Sequence, residues 1–477
     1  MKQGSIKSIK PSAHIHMMGI CGTAMASLAG LLKDRGFKIS GSDSNPYPPM
    51  STQIEAMGIK IAKPYQIENL NPKPDFVVVG NVISANNPEA QELVNLQIPF
   101  CSLPQAMGEF IIADKDSYVI AGTHGKTTTT SIMSWVAECC GLKPGFLIGG
   151  IPKNFNQSFR NPEGGLFIIE GDEYDTAYFD KVPKFIHYKP KHVVLTSVEF
   201  DHADIYKDFN AVKAAFLRLM SLIPKDGTLV YWGDDRNVTA VAQTTPALKK
   251  ISYGFEKQND FVATIIEEKE HYCRFKITHQ EETLLEIQIP VVGRYNILNA
   301  TSVAIMGYLR EWPIEGVKKG LSTFAGVKRR QEHLGEFAGV TLIEDFAHHP
   351  TAVRETIMAI QNKFSGRKVF SVFEPRSATS RRKVFQKDYV EAFSQAQEVI
   401  LAEAFDQSKL NETDRFSSQE LIDDLKNKNT TATCYADEDQ IVKHLVTNSK
   451  PTDVILIMSN GGFGGIYQKL IDGLRKK

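Results

Sequence analysis

The stretch 121–130, Ala-Gly-Thr-His-Gly-Lys-Thr-Thr-Thr-Thr, constrains the fold of this 477-residue chain more than any other feature. It follows an apolar run, 117–120, typical of a buried strand, and it precedes a segment, 131–137, with helical spacing. A strand, a glycine turn and a helix start form a phosphate cradle, because backbone N–H groups point inward and the helix N-terminus is partially positive. Lys126 adds a full charge, and Thr127 offers a hydroxyl to Mg²⁺. The alternative, a glycine turn that only begins a helix, would place this lysine without an anion.

Composition argues against several classes of partner. Lysine plus arginine and aspartate plus glutamate number 55 each, so no net field recruits nucleic acid or an anionic membrane. No apolar run reaches the roughly 18 residues of a membrane span, and no apolar segment follows the basic start as in a secretion signal. Six scattered cysteines without a C-x-x-C pair suit reduced thiols. We therefore expect a cytoplasmic protein of two or three domains that binds neither nucleic acid nor membrane.

A second glycine turn follows the alternating segment 14–18 and precedes a helical pattern over 26–33. An acid ends the next strand about 20 residues on, which is the layout of a Rossmann-like half that binds a nucleotide diphosphate. The strand 75–79 leads to polar residues that could reach the same ligand. A nicotinamide dinucleotide is the less supported alternative, because the full G-x-G-x-x-G is missing. The predicted contacts are Gly22, Thr23, Ala24, Met25, Asp43, Asn81 and Ser84.

Acids follow two apolar strands beyond the phosphate cradle. The strand 166–169 ends in Glu170, and the strand 193–198 ends in 199–204, which contains His202. Because parallel strands end at the same edge of a sheet, these groups should converge on the bound phosphates. Carboxylate and imidazole there suit Mg²⁺ that is held by few protein ligands plus phosphate oxygens. The alternative for each acid alone is a solvated turn residue.

The second half of the chain predicts an antiparallel segment and another α/β unit. Polar and apolar residues alternate over 257–288, as in strands of a peripheral sheet. A helix begins near Asn296. Capping of this helix, without any contact to a ligand, is one interpretation of Asn296. Patterns of buried strands follow over 340–343, 368–373 and 453–458.

A small basic cluster follows the strand 368–373. It consists of Arg376, Arg381 and Arg382. A solvated helix face is one interpretation, and the docking of ligand carboxylates by planar guanidinium groups is the other.

Together these residues resemble the Mur ligases, ATP-dependent amide-forming enzymes of peptidoglycan synthesis, over nearly the whole chain. Within the family, several longer stretches of this sequence resemble those of the murein peptide ligase branch. Enzymes of that branch join UDP-N-acetylmuramate to the recycled tripeptide L-Ala-γ-D-Glu-meso-diaminopimelate. The alternative within the family is the ligase that adds free L-alanine in de novo synthesis. The family residues are 122–128, Glu170, Asp201, His202, Asn296, Arg330 and Asp345, and the branch strings are 19–27, 47–52, 80–84, 170–175, 374–377 and 458–465.

The resemblance implies an α/β fold of three domains. A Rossmann-like domain, 1–113, would bind UDP-N-acetylmuramate, and a central P-loop ATPase domain, 114–322, would bind ATP. A C-terminal Rossmann-like domain, 323–477, would close on ATP and bind the murein tripeptide. ATP and Mg²⁺ would convert the sugar acid to an acyl phosphate, which the amine then captures. We expect a monomer or a weak homodimer.

The resemblance also implies roles for single residues. The lysine that several Mur ligases carbamylate is absent, since 214–217 reads Ala-Ala-Phe-Leu, and a second metal bridged by it is not expected. ATP binding falls to Gly122, Thr123, His124, Gly125, Lys126, Thr127, Thr128, Asn296, Arg330 and Asp345. The catalytic set is Lys126, Glu170, His202, Arg330 and Asp345, the metal ligands are Thr127, Glu170 and His202, and the peptide contacts are Arg376, Ser377 and Arg381.

Two other classes of protein stay open. A folylpolyglutamate synthase-like ligase would leave the first nucleotide-type domain without a purpose. A nucleotide-binding regulator without catalysis would not need the complete set Lys126, Glu170, His202 and Arg330.

Overall fold

The computed structural model describes residues 9–10, 12–46 and 50–477. The basic start of the chain and residues 47–49 of one motif string lie outside the described residues. Within those ranges no helix combines the length and the apolar character that crossing a membrane requires. The chain divides into two compact units. The first comprises Met1–Glu199, Asn210–Val262 and Ala300–Leu321, and the second comprises Phe200–Phe209, Ala263–Asn299 and Ser322–Lys477.

The first unit begins with a five-stranded parallel sheet in the order β3-β2-β1-β4-β5. This order is that of a Rossmann-like half, as the glycine turn predicts. All four residues of β4 are buried, because helices cover both faces of a parallel sheet. The strands are β1 (His14–Met18), β2 (Lys38–Ser42), β3 (Ile61–Ala62), β4 (Phe76–Val79) and β5 (Phe100–Ser102), and the helices are α1 (Thr23–Asp34), α2 (Met50–Ala56), α3 (Pro88–Asn95) and α4 (Leu103–Ala106).

A second sheet of the first unit has the order β14-β13-β12-β6-β9-β7-β8. Its neighbours are parallel except for β7 and β8. A separate hairpin is formed by β10 and β11. The elements are β6 (Asp116–Ala121), α5 (Lys126–Cys139), β7 (Gly145–Leu147), β8 (Phe159–Arg160), β9 (Leu166–Gly171), β10 (Asp175–Ala177), β11 (Asp180–Pro183), β12 (His192–Leu195), α6 (Phe209–Leu222), β13 (Thr228–Trp232), α7 (Arg236–Ala242) and β14 (Lys249–Gly254).

The register of this sheet brings three strand ends to one edge. Ala121 at the end of β6 pairs with Gly171 at the end of β9 and with Leu195 at the end of β12. The phosphate cradle after β6 and the acids after β9 therefore leave the sheet side by side, as the sequence predicts.

The second unit contains an antiparallel segment and a third sheet. Strands β16 and β17 pair from Cys273↔Ile289 to His279↔Glu282, as the alternating pattern predicts. The third sheet has the order β18-β19-β23-β20-β21-β22, parallel except for β18 and β19. Buried apolar clusters cover both of its faces. These observations confirm an α/β protein.

The remaining elements complete the chain. Helix α8 and strand β15 each run from one compact unit into the other along the sequence. The elements are β15 (Phe261–Lys269), β16 (Tyr272–His279), β17 (Glu282–Ile289), α8 (Arg294–Leu309), α9 (Ile314–Ser322), β18 (Glu332–Phe337), β19 (Val340–Asp345), α10 (Pro350–Lys363), β20 (Val369–Phe373), α11 (Gln386–Phe393), β21 (Glu398–Ala402), α12 (Ser418–Asn427), β22 (Thr431–Tyr435), α13 (Glu438–Asn448), β23 (Val454–Met458) and α14 (Ile466–Arg475).

The basic cluster after β20 does not lie on a helix face. Residues 377–381 form turns, and a short 3₁₀ helix, Lys383–Phe385, precedes α11. The interpretation of these arginines as one solvated helix face is therefore wrong.

Candidate active site

The phosphate cradle has a backbone that only glycine adopts easily. Gly122 has φ +134°, and a Cβ there would collide with the hydroxyl of Thr196. Gly125 has φ +83° and begins α5, and no side chain caps this helix. The backbone N–H of His124 donates to the hydroxyl of Ser197 at 2.8 Å, which fixes the loop to the end of β12. An uncapped helix start behind a rigid glycine loop fits an anion such as phosphate.

Lys126 is the charged group of this cradle. Its Nζ donates to the backbone oxygen of Gly122 at 2.6 Å and to Glu173 Oε2 at 2.8 Å. Burial by itself would lower the pKa of Lys126, but the carboxylates of Glu173, Asp172 and Glu170 outweigh it and raise the pKa. Lys126 is therefore a partly buried ammonium held among carboxylates.

Glu173 is a residue that sequence reasoning missed as a partner of this lysine. Its side chain is only 1% exposed, and that of Lys126 is 14% exposed. Glu173 lies in the loop after β9, only three residues beyond Glu170, within a string noticed for its family likeness. A second acid so close to a strand end beside the cradle was the available signal.

Thr127 and Glu170 form the pair that fits a divalent cation. The Thr127 hydroxyl donates to Glu170 Oε2 at 3.1 Å, and the backbone N–H of Gly149 donates to Glu170 Oε1 at 2.6 Å. A hydroxyl and a carboxylate are hard oxygen donors, which Mg²⁺ prefers. The side chains therefore fit Mg²⁺ bound beside a phosphate chain.

The loop after β12 stabilises the cradle from the other side. The backbone N–H of Glu199 donates to the hydroxyl of Thr123 at 2.9 Å, and the side chain of Glu199 lies 3.3 Å from the ring of His124. His124 and Thr123 thus have structural partners in addition to their predicted contacts with ATP. Thr128 lies in the first turn of α5.

The glycine turn of the first sheet gathers several of the predicted nucleotide contacts. Gly22 begins α1 without a side-chain cap, and Thr23 follows it, also exposed. The carboxylate of Asp43 accepts from the backbone N–H of Cys21 at 3.0 Å, so it lies against this turn. An exposed helix start beside a carboxylate has the layout of a site for a nucleotide diphosphate.

The other residues predicted for this site lie nearby in the first sheet. Met18 at the end of β1 pairs with Val79 at the end of β4, so the loop after β4 leaves the sheet at the same edge as the glycine turn. Asn81 and Ser84 lie exposed on that loop. Ala24 is half-buried and Met25 is 5% exposed, so Met25 packs in the core.

In the second unit the structure brings together the start of α8, residues 330–331 and the end of β19. Asp345 accepts from the backbone N–H groups of Gln331 and Ala347, each at 2.7 Å. Burial raises the pKa of Asp345, although the nearby Arg330 opposes this. Asn296 donates its side-chain N–H to the backbone oxygen of Val292 at 2.7 Å, which ties the first turn of α8 to the residues before it.

The segment with His202 is held by side chains of the second unit. Asp201 is 3% exposed and accepts from the Thr379 hydroxyl and from the backbone N–H of His202. Burial alone would raise the pKa of Asp201, but the imidazoles of His202, His349 and His348 outweigh it and hold the pKa well below its usual range. His202 itself has φ +53°, an uncommon conformation for histidine. Its ring Nε2 lies 4.0 Å from Asp201 Oδ2.

The residues predicted to contact the peptide lie in the turn after β20. The guanidinium of Arg376 lies 3.3 Å from Glu374 and 3.7 Å from the ring centroid of Phe405. Arg381 donates to backbone oxygens, among them that of Asp406. Ser377 bonds Ser380 at 2.9 Å inside the turn.

Comparisons with known proteins agree over most of the chain. Three family descriptions match: "Mur ligase family, catalytic domain" over residues 14–115, "Mur ligase middle domain" over 120–307 and "Mur ligase, glutamate ligase domain" over 329–461.

Single relatives are similar to this chain over nearly their full length. The UDP-N-acetylmuramate–L-alanyl-γ-D-glutamyl-meso-2,6-diaminoheptandioate ligase of Haemophilus influenzae is 38% identical over 468 residues, 97% of this chain and 100% of that protein. A UDP-N-acetylmuramate–L-alanine ligase of Clostridium botulinum is 33% identical over 456 residues, 95% of this chain and 96% of that protein. The crystal structure of a murein peptide ligase from Psychrobacter arcticus has a TM-score of 0.72 at 31% identity and covers 98% of this chain and 99% of that one.

Proposed function

We propose a function on the premise that this chain belongs to the Mur ligase family and is an ATP-dependent ligase. The proposed reaction joins UDP-N-acetylmuramate to L-alanyl-γ-D-glutamyl-meso-diaminopimelate, the recycled murein tripeptide. The 38% identity with the Haemophilus influenzae ligase that carries these substrates in its name supports this choice. The observation that carries the chemistry is the partly buried Lys126 ammonium at an uncapped glycine cradle, beside Thr127 and Glu170.

The proposed chemistry needs no nucleophile from the protein. Transfer of the terminal phosphoryl group of ATP to the lactyl carboxylate gives an acyl phosphate and ADP. Attack by the alanyl amine then releases phosphate and a proton and leaves an amide. The protein has to position two anions and cancel their repulsion. Lys126 and the first turn of α5 would bind the phosphates and hold the transferred group in line.

Thr127 and Glu170 would hold Mg²⁺, which neutralises charge on the phosphates when it is bound. Their oxygens already lie 3.1 Å apart at the edge of the sheet. His202 belongs to the second unit, and its role as a metal ligand stays a prediction. The roles of Asn296, Arg330 and Asp345 in ATP binding stay predictions as well.

The remaining assignments extend this proposal. UDP-N-acetylmuramate would bind at the glycine turn of the first sheet, with Asp43 as the acid of that site. Arg376, Ser377 and Arg381 would contact the tripeptide. Domain boundaries at 113/114 and 322/323, a cytoplasmic location and a monomer or weak homodimer are part of the same proposal.

The direct test is phosphate release with each substrate omitted in turn, combined with mass analysis of the product. Release that requires UDP-N-acetylmuramate, tripeptide and ATP together, with a product of the combined mass, would support the proposal. Lys126→Ala should lower turnover by orders of magnitude. Lys143→Ala, whose side chain is 64% exposed and pairs with Glu163, is the matched control and should keep the wild-type rate. Normal activity of Lys126→Ala would contradict the assignment of this loop as the phosphate-binding site.

The second candidate function is the addition of free L-alanine to the same sugar acid. The 33% identity with alanine ligases over 456 residues favours it. Comparing kcat/KM for alanine and for the tripeptide separates the two. A higher value for alanine would replace the proposed acceptor and leave the activation chemistry unchanged.

A further inference from the structure

A fully buried carboxylate, that of Glu89, lies near the glycine turn of the first sheet. Glu89 is the second residue of α3, and its side chain is 0% exposed. A glutamate is rarely buried completely unless polar or charged partners surround it. The partners of Glu89 therefore indicate why a carboxylate is placed there.

One oxygen of Glu89 is linked to the glycine turn through the end of β2. The hydroxyl of Ser42, the last residue of β2, donates to Glu89 Oε2 at 2.6 Å. The backbone oxygen of Ser42 accepts from the N–H of Gly19 at 2.8 Å and from that of Ile20 at 3.1 Å. Asp43, the acid of the proposed nucleotide site, is the next residue. Ser42 thus connects Glu89 both to the turn and to this acid.

The other oxygen of Glu89 holds a different segment, the one that follows β3. The side chain of Asn69 donates to Glu89 Oε1 at 2.6 Å, and the backbone N–H of Gln66 donates to the same oxygen at 3.2 Å. Tyr65 in this segment borders the turn, since a Cβ on Gly19 would lie 3.8 Å from its hydroxyl. One buried carboxylate therefore joins two segments that lie beside the glycine turn.

The network around Glu89 keeps this carboxylate charged. Burial by itself would raise the pKa of Glu89, but hydrogen bonds from His16, Ser42 and Asn69 outweigh it and lower the pKa. His16 is 1% exposed, and its Nδ1 lies 2.9 Å from the hydroxyl of Ser40. A hydrogen-bonded network in the interior is rigid, and removal of its acceptor leaves buried donors unsatisfied. The geometry of both segments therefore depends on Glu89.

We propose that Glu89 is a positioning residue of the site for the UDP-sugar. It holds the glycine turn with Asp43, and the segment after β3, in the arrangement that binds the nucleotide. It acts through Ser42 and Asn69 without touching the ligand, and a site fixed in advance pays less to order itself on binding. The inference rests on the proposed function, because that function assigns UDP-N-acetylmuramate to this turn.

The test is calorimetric titration of the wild type, Glu89→Ala and Glu92→Ala with UDP and, separately, with ADP. The control Glu92 lies on the same helix, where it accepts from Asn95 at 3.0 Å. Glu89→Ala should raise the dissociation constant for UDP at least about fivefold and leave that for ADP unchanged. The KM for UDP-N-acetylmuramate should rise in parallel, with kcat and the KM for ATP unchanged. Glu92→Ala should alter none of these quantities.

A conservative variant tests whether the hydrogen bonds of Glu89 are the cause. Glu89→Gln should bind UDP more tightly than Glu89→Ala. The amide oxygen can accept from Asn69 and Gln66, and the amide N–H can donate to the hydroxyl of Ser42, which accepts as well as donates. Equal dissociation constants for the glutamine and alanine variants would overturn the inference.

Two other outcomes also overturn it: an unchanged dissociation constant for UDP in Glu89→Ala, or an equal weakening of UDP and ADP binding. If Glu89→Ala does not fold, Ser42→Ala removes the bond to the end of β2 and should also raise the dissociation constant for UDP, and an unchanged value would be decisive against the proposal. A wild-type protein that binds ADP but neither UDP nor UDP-N-acetylmuramate would contradict the proposed function itself, which distinguishes that failure from a failure of Glu89.

Discussion

Replacing Glu173 by glutamine should lower the dissociation constant for nucleotide, and it should also lower the stability of the ligand-free protein. Glu173 Oε2 lies 2.8 Å from Lys126 Nζ, and its side chain is 1% exposed. In this arrangement the carboxylate of Glu173 and a phosphate oxygen of a bound nucleotide would contact the same ammonium group and repel each other. Glu173→Gln keeps the shape and a hydrogen-bond acceptor and removes the negative charge.

The size of the effect follows from the distance. Nζ lies 2.8 Å from Oε2, and a phosphate oxygen on its other side would be about 2.8 Å away, which separates the two anions by at most roughly 6 Å. Two unit charges at that distance and an effective dielectric constant of about 20 repel by about 3 kcal/mol. A site open to solvent has an effective dielectric constant between this value and that of bulk water, and a value of about 40 reduces the repulsion to about 1.4 kcal/mol, a tenfold change in affinity.

Calorimetric titration with ADP and thermal unfolding without ligand measure both effects. We expect a dissociation constant for ADP about tenfold lower in Glu173→Gln than in the wild type. We also expect a lower unfolding temperature, because a charge-assisted hydrogen bond is weakened. The control is Glu163→Gln, which removes the acid of an ion pair with Lys143 in which the Glu163 side chain is 71% exposed. It should change neither the dissociation constant for ADP nor the unfolding temperature. Equal or weaker binding of ADP by Glu173→Gln would refute the reasoning.

Substitutions at three further positions test other parts of the structure. Thr127→Val should raise the Mg²⁺ concentration needed for the half-maximal rate at least about tenfold, whereas Thr127→Ser should not, and equal magnesium titrations would contradict the metal assignment. Thr379→Val removes the hydroxyl that donates to Asp201 and should lower kcat, whereas Thr379→Ser should restore it; an unchanged kcat in the valine variant would refute this positioning role. Burial, followed by the charge of Arg310, lowers the pKa of His192 from 6.5 to about 4, and neither ring nitrogen has a partner among the described residues. As the pH falls, His192 is therefore protonated in the unfolded chain before it is protonated in the folded protein. The free energy of unfolding should fall by about 3 kcal/mol as the pH drops from 6.5 to 4. Urea unfolding at the two pH values should show a smaller loss of unfolding free energy for His192→Leu than for the wild type. An equal loss in the two proteins would contradict this role of His192.

The sheets could be predicted from the sequence because most of their strands are buried on both faces. A run such as 166–169 has no polar residue to place on a solvated side, and it becomes β9, Leu166–Gly171. The run 75–79 becomes β4, Phe76–Val79, with an error of one residue. Because parallel strands share an edge, the convergence of the cradle and Glu170 followed from the strand assignments alone.

The contacts that tune the site could not be predicted in this way. The bond between Thr379 and Asp201 joins residues 178 positions apart, in loops whose paths no local pattern specifies. The ion pair of Lys126 with Glu173 depends on how the loop after β9 folds back on the cradle. The burial of Arg382 Nε depends on packing around the turn after β20, and the sequence alone presents it as one of three similar arginines.

Transfer of an oxygen isotope tests the central claim, that ATP activates the sugar acid by phosphorylating it. UDP-N-acetylmuramate with ¹⁸O in both oxygens of the lactyl carboxylate would be converted with ATP and tripeptide, and the released phosphate would be analysed by mass spectrometry. We expect one ¹⁸O atom in each phosphate, because a carboxylate oxygen bonds to phosphorus and its bond to carbon breaks when the amine attacks. Formation of the amide with unlabelled phosphate would contradict it.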